Sequence, residues 1–357
     1  SANGVIIVTT KSGVVGKTSI SVNYLRSYNT LRKMPVANAQ ERLLYDLLRN
    51  TQKNTLVDTL NQMWLINNDF QDIFYRTAIK DQANLSISSG SEKTKFYWNS
   101  GFLNQQGVLP SQKFQRFNTR VNIDHEFTDR IRMGVRLQAS YGETFNIDPS
   151  SEGEWYGATI IKAAYSPYIN PDGSYLTNIT SFRGRNNLLD VMNRLEDRRR
   201  TITSSLFQYV EFDLIKDLSY RANFGVNGEI LRNTFFEPEA IGGQNNNIDA
   251  SFFSAFAYNW IHESFFTYEK DFGDHNLSLL AGFSAQKWAR PQEQIQGMLA
   301  NSLIPTLNNV AGVFDAANTF TTDERDHALA SLFGRIGYSY RDRYLLSATI
   351  RRDGSSR

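Results

Sequence analysis

Cysteine is absent from the 357-residue chain, which excludes a disulfide framework and thiolate metal sites. Histidine is almost as scarce. His125, His262, His275 and His327 are scattered, with no His-Glu-x-x-His or paired spacing, so neither a metal nor a cofactor site has local support. They read as girdle or surface residues. No apolar run approaches the roughly 18–20 residues of a spanning helix, so any passage through a membrane must be made by strands. The formal charge of +2 is nearly balanced, without the concentrated basic stripe that a nucleic-acid partner requires. Catalytic constellations are missing as well. Gly282-Phe283-Ser284-Ala285-Gln286 lacks the closing glycine of a nucleophile elbow and lies within a strand pattern. Glu152 and Glu154 sit in a polar stretch with nothing to desolvate either carboxyl. The chain therefore does not read as an enzyme, and a surface hydrolase is left without a nameable nucleophile, metal or acid–base pair.

What is present is strand after strand. The opening run Val5 to Val8 is continuously apolar and β-branched, too short for a helix and suited to a strand covered on both faces. Gly13-Val14-Val15-Gly16-Lys17-Thr18 imitates the start of a phosphate-binding loop, but Lys11 occupies the position of the required first glycine. Ser19-Ile20-Ser21-Val22-Asn23-Tyr24 then alternates with the period of a strand instead of opening a helix. Residues 37–50 place Leu43, Leu44, Leu47 and Leu48 at helical spacing, which predicts a short loop helix packing its leucines on its surroundings.

From residue 83 onward one device repeats: an alternating strand, a connection, another strand. The cleanest case is 131–141. There Ile131, Met133, Val135, Leu137, Ala139 and Tyr141 share one face, while Arg132, Arg136, Gln138 and Ser140 share the other. Connections alternate between tight turns, near 89–92, 128–130, 215–217, 269–274 and 341–343, and long loops, predicted at 29–78, 142–200, 228–259 and 289–327. Short turns at one end and long loops at the other are the layout of outer-membrane barrels. The expected fold is all-β: about ten or eleven antiparallel meander strands forming part of a transmembrane β-barrel. A secreted or surface β-rich adhesin or glycan-binding module without transport is the alternative.

Particular residues carry a family likeness. Ala2-Asn3-Gly4-Val5-Ile6, Val8-Thr9-Thr10-Lys11 and Gly13 match the pattern Ala-Asn-Gly-Val-Ile-x-Val-Thr-Thr-Lys-x-Gly. That run resembles, nearly residue for residue, the segment closing the plug domain of SusC/RagA-type TonB-linked outer-membrane transporters. The acidic and aromatic stretch from Asn68 to Ala78, the hairpin around Ser88 to Tyr97, and Gly334 to Ser356 are similar to further parts of that family. The resemblance implies a barrel of about 22 strands with a plug in its lumen. Residues 1–16 would then be the end of the plug and 17–357 about the first half of the barrel, open in this fragment, with the targeting segment upstream. It also implies TonB-dependent import of a large nutrient, oligosaccharide or peptide, across the outer membrane of a Gram-negative cell of the Bacteroidota. TonB would engage a box upstream of the plug, and a SusD-like lipoprotein would cap the barrel.

Recognition residues are expected on the long loops of such a scaffold. The 142–200 stretch offers Trp155, Tyr156, Tyr165, Tyr168 and Tyr175 as substrate-contact candidates, although aromatics in a long loop more often pack the loop itself. Arg198-Arg199-Arg200, just before a strand begins at the outer end, is expected to face solvent or to pair with lipopolysaccharide phosphates.

Overall fold

Alternating polar and apolar residues commit most of the chain to extended backbone. The computed structural model describes residues 11–49, 65–146, 160, 164–174, 195–237, 249–298 and 319–357. Its strands run β1 (Gly16–Asn29), β2 (Ala78–Gly90), β3 (Thr94–Gln106), β4 (Lys113–Thr128), β5 (Ile131–Phe145), β6 (Glu196–Ile215), β7 (Leu218–Glu237), β8 (Asp249–Phe272), β9 (His275–Met298), β10 (Thr319–Tyr340) and β11 (Tyr344–Ser355). All eleven form one sheet in sequence order, from β1 to β11. Each neighbouring pair is antiparallel. This is the meander read from the alternation. The sheet is open, with β1 and β11 at its edges. Among the described residues no helix is long and apolar enough to cross a membrane.

The five connections at one end are two or three residues long, and their chemistry matches their geometry. Asp217, Arg341 and Asp342 take positive φ of 72°, 52° and 52°, and Gly273 takes 66°. These are the left-handed conformations that tight hairpins demand and that Asp and Gly tolerate best. At the other end the strands continue further than expected. Residues 228–237 and 249–259, read as loop, lie in β7 and β8, which leaves only 238–248 between them. Likewise β9 extends to Met298 and β10 begins at Thr319, so much of 289–327 is strand, while the 29–78 and 142–200 connections shrink to 30–77 and 146–195. These segments carry polar residues on both faces, and Pro291 interrupts one of them. Pro291 has no N–H to give, and pairing with β8 is recorded only on either side of it, at Ala255–Gln292 and Tyr258–Ala289. On its other side β9 stays in register with β10, where Pro291 faces Glu324.

Among the described residues two helices with assigned bounds stand at the long-loop end. In α1 (Ala39–Leu48), Asn38 accepts from the Glu41 N–H at 2.9 Å and Glu41 returns a bond from the Asn38 N–H at 3.0 Å, a reciprocal cap. Only Leu43 of its described leucines is buried. Leu44 and Leu48 are exposed, so among the described residues the helix is anchored by Ala39 and Leu43 and not by a full leucine face. In α2 (Phe70–Phe74), the Asp69 carboxylate caps the Gln71 and Asp72 N–H groups at 2.9 and 3.3 Å. Phe70, Phe74 and Leu109 cluster beneath Tyr168, while Ala39 and Leu43 pack on Ala164 and Tyr165. Buried apolar contacts thus tie three of the long-end connections into one cap.

Candidate functional site: the polar lining of the sheet

Directly paired residues share a face, so the register sorts every strand residue to one side of the sheet or the other. One side collects Ile20, Val22 and Tyr24 of β1, Phe102 of β3, Phe117 of β4, Leu137 and Tyr141 of β5, Ile202 of β6, Ile230 of β7, and Leu332 and Ile336 of β10. All of them are exposed. Near the tight turns this side carries a chain of rings. Phe212, Tyr220 and Phe266 neighbour one another at 6.4 and 4.8 Å, and Phe272, His275, Tyr340 and Tyr344 continue at 5.5, 4.8 and 6.4 Å. His125 stacks edge-on with Phe127 at 4.5 Å. An apolar face bordered by an aromatic girdle is what a barrel presents to lipid.

The opposite side is polar and holds an ordered charge network near the tight-turn end. Asp124 accepts from Arg136 Nη2 at 2.6 Å and from the Tyr209 hydroxyl at 3.0 Å, and Arg136 Nη1 also donates to the Ile123 carbonyl at 2.9 Å. Arg132 bridges Glu211 and Asp213 at 2.7 and 2.8 Å. Arg221 reaches Glu211 at 3.3 Å and lies 4.5 Å over the Tyr209 ring. Arginines 132, 136 and 221 are thus matched by Asp124, Glu211 and Asp213, which leaves the patch satisfied instead of strongly charged. Gly134 makes room for it: a Cβ there would lie 2.1 Å from Tyr209 Cε1 and 2.8 Å from the Asp124 carboxylate.

The first described residues cross this polar side. Asn122, almost fully buried, donates from Nδ2 to the Lys11 carbonyl at 2.6 Å, and the Val14 N–H donates to Ser88 Oγ at 3.3 Å. Gly13 rests on the backbone of the sheet, where a Cβ would meet Phe96 N at 2.4 Å and Ser89 O at 2.7 Å. Of the signature residues, Lys11 and Gly13 therefore lie against the wall on its polar face. Ala2, Asn3, Gly4, Val5, Ile6, Val8, Thr9 and Thr10 fall outside the described residues.

Farther toward the loop end the same side changes from charges to amides. Ser205 Oγ donates to Asn227 Oδ1 at 2.6 Å, and Asn227 Nδ2 donates to Asn259 Oδ1 at 2.7 Å. With Gln138, Glu229 and Trp288 they line a recess of about 360 Å³. The sequence reading overlooked this ledge, because its members come from separate strands and only the register brings them together. Of the loop aromatics, Tyr165 is 1% exposed and packs with α1, and Tyr168 meets the Phe70 ring edge-on at 6.3 Å. Both build the cap. Trp155, Tyr156 and Tyr175 lie outside the described residues.

No family model matches the chain. Along its whole length it is 33% identical, over 364 residues, to TonB-dependent receptor P39 of Formosa agariphila, of which it covers 34%. It is 25% identical over 398 residues to TonB-dependent receptor SusC of Bacteroides thetaiotaomicron, covering 37% of that protein. The fold matches the RagAB peptide transporter with a TM-score of 0.75 at 15% identity, across 98% of this chain and 43% of that one. The chain spans about a third of the length of the curated relatives it matches. Along all of its own length the chain is similar to part of the TonB-dependent receptors of the SusC/RagA type, and it shares their strand meander.

Proposed function

We propose that this chain is the first half of an outer-membrane barrel wall, residues 17–357, together with the end of its plug, residues 1–16, in a receptor for TonB-dependent nutrient import. The observation that carries the reading is the two-sided sheet. It has an exposed apolar face with an aromatic girdle, a polar face with satisfied charges, and tight turns segregated from long connections. The polar face is the lumen wall in this reading. The Lys11–Gly13 crossing lies on that lumen wall, where the end of the plug would meet it, and the amide and tryptophan ledge lies farther toward the long-loop end. Stacking and amide hydrogen bonds suit an oligosaccharide or a peptide, and the related RagAB assembly is described as a peptide transporter. The cap of α1, α2 and residues 164–174 stands where a SusD-like lipoprotein would seat. The wall is assigned binding and passage, not chemistry.

Uptake by cells producing the full-length receptor tests this directly. A labelled oligosaccharide or peptide pool should accumulate only when TonB is present, and Asn259→Ala with Trp288→Ala should lower the apparent affinity without reducing the amount of receptor in the outer membrane. Uptake unaffected by loss of TonB contradicts the import reading. A soluble, detergent-free monomer would instead favour an adhesin.

A further inference from the structure

We infer that Arg198, Arg200 and Arg232 form a binding site for the phosphate of an outer-leaflet lipid headgroup, on the apolar side of the sheet immediately above the hydrocarbon level. The inference rests on the membrane reading above. Strand parity splits the arginine triplet of β6: Arg198 and Arg200 lie on the apolar side with Ile202, whereas Arg199 lies on the polar side. The register then adds a member that the sequence gives no hint of, since Arg232 of β7 is directly opposite Arg200. One step toward the tight turns, Tyr141, Ile202, Ile230 and Phe256 are directly paired across four strands, all of them exposed. The three guanidinium groups therefore stand on the rim of the lipid-facing surface.

Their electrostatics are incomplete. Glu143 accepts through one carboxylate oxygen, Oε1, from both Arg198 Nε and Arg200 Nε, the latter at 3.0 Å. Both bonds use the Nε edge, so among the described residues the terminal nitrogens of both side chains remain for another acceptor. Arg198 also lies 5.1 Å over the Phe145 ring, which fixes its plane. Arg232 is exposed and has no ion-pair partner among the described residues. Like charges directly opposite across a ladder repel, and two carboxylates on this face, Glu143 on one flank and Glu196 at the start of β6, do not offset three cations. A phosphate between Arg200 and Arg232 does, through the paired N–H geometry that guanidinium offers to phosphate oxygens. A lipid is favoured over a soluble anion because its acyl chains would lie along Tyr141, Ile202 and Ile230 while its phosphate sat on the arginines.

The test uses purified full-length receptor in detergent, titrated with bisphosphorylated lipid A, with the same lipid dephosphorylated, and with inorganic phosphate, and read by native mass spectrometry and thermal unfolding. The phosphorylated lipid should bind and raise the melting temperature, and neither of the other two should do so at equal concentration. Arg200→Gln/Arg232→Gln should weaken that binding by about tenfold or more, as expected for the loss of two charge-assisted contacts, whereas Arg199→Gln should bind as the parent does. Heat-modifiable migration on a gel confirms that each variant is a folded barrel. Undiminished lipid binding by the folded double variant, equal loss in Arg199→Gln, or equal response to inorganic phosphate overturns the site. Failure of the parent to fractionate with outer membranes would instead refute the membrane reading on which it rests.

Discussion

Gly13 shows how much one side chain can matter where two pieces of backbone cross. An added Cβ would meet Phe96 N at 2.4 Å, Phe96 O at 2.6 Å and Ser89 O at 2.7 Å. All three are main-chain atoms of paired strands, and none can swing aside. Gly13→Ala in the full-length receptor should therefore lift the 11–15 segment from the wall at a cost of about 1–3 kcal/mol, seen as faster proteolysis near residue 13 while the barrel stays folded. An unchanged cleavage pattern would show that the crossing is loose. Arg136 teaches a different lesson. Its sequence position marks it only as lumen-facing, which makes Arg136→Gln an apparently neutral change. The structure pairs it with Asp124, which Tyr209 also contacts. Arg136→Gln should accordingly cost about 1–2 kcal/mol by leaving a half-buried carboxylate under-bonded, measured as a lower unfolding midpoint in denaturant. Asp124→Asn in the Arg136→Gln background should then add less than it does alone. Parity told which face each side chain takes, and partner identity came only from the register.

At the scale of elements, tight turns and strand faces were legible because both are written in local residues: Asp, Gly and Arg at the hairpins, and alternation along β5. The outer extensions of β7 to β10 were not. Residues 228–237 and 289–298 lack alternation because neither face there is clearly apolar, and 249–259 lack it because apolar residues such as Phe252 and Phe253 fall on both faces; pairing with neighbours holds all three extended. The cap was half legible, since helical spacing gave α1 but not its anchor on Tyr165. Phe74, fully buried, is the centre of the second cluster. Phe74→Ala should loosen the cap locally by about 3–5 kcal/mol, appearing as rapid hydrogen exchange over 65–77 and 107–112 with the strands still protected. The cap also has a pH signature. Lys33 bonds both Asp72 and Asp69, the latter at 3.2 Å. Its ammonium is held above the usual value, chiefly by the bond to Asp72. Burial pushes the Asp69 carboxyl up, but the bonds from Lys33 and from the Gln71 and Asp72 N–H groups outweigh it and hold the carboxyl below its usual value. The Asp69 contribution is thus complete above the ordinary carboxylate pKa of about 4 and is lost as pH falls through the lowered one. The Lys33 contribution persists through neutrality and is lost only as pH rises past its raised value. Exchange of the α2 amides should be constant across neutral pH after correction for intrinsic rates, rise in acid, and lose part of that acid step in Lys33→Met.

Across the whole molecule, the apolar band follows the stagger of the strands. On β6 and β7 it ends at Ile202 and Ile230, below Arg200 and Arg232, but the ladder row through those arginines continues to Ser254 and Glu293 on β8 and β9. On β9 the band has already ended at Ala285, below Lys287, which pairs with Asp326 at 3.0 Å. At the tight-turn end the last apolar row of β7 and β8, Leu218 and Tyr268, reaches Leu279, and β9 continues one step further with Leu277, opposite Lys270. Both edges of the band therefore step toward the tight turns from β6 to β9, as a sheet sheared for closure requires. That same stagger leaves long polar stretches of β9 and β10 above the band. In the proposed barrel this band meets lipid and the opposite face meets water. Leu137 and Gln138 are consecutive on β5, both exposed in the isolated sheet, and on opposite faces. Single cysteines at these two positions, in an otherwise cysteine-free full-length receptor in intact outer membranes, can be challenged with a small water-soluble maleimide. Labelling is expected at position 138 and none at 137 until detergent is added; equal labelling at both positions, or recovery of the receptor in the soluble fraction, would refute a lipid-facing band.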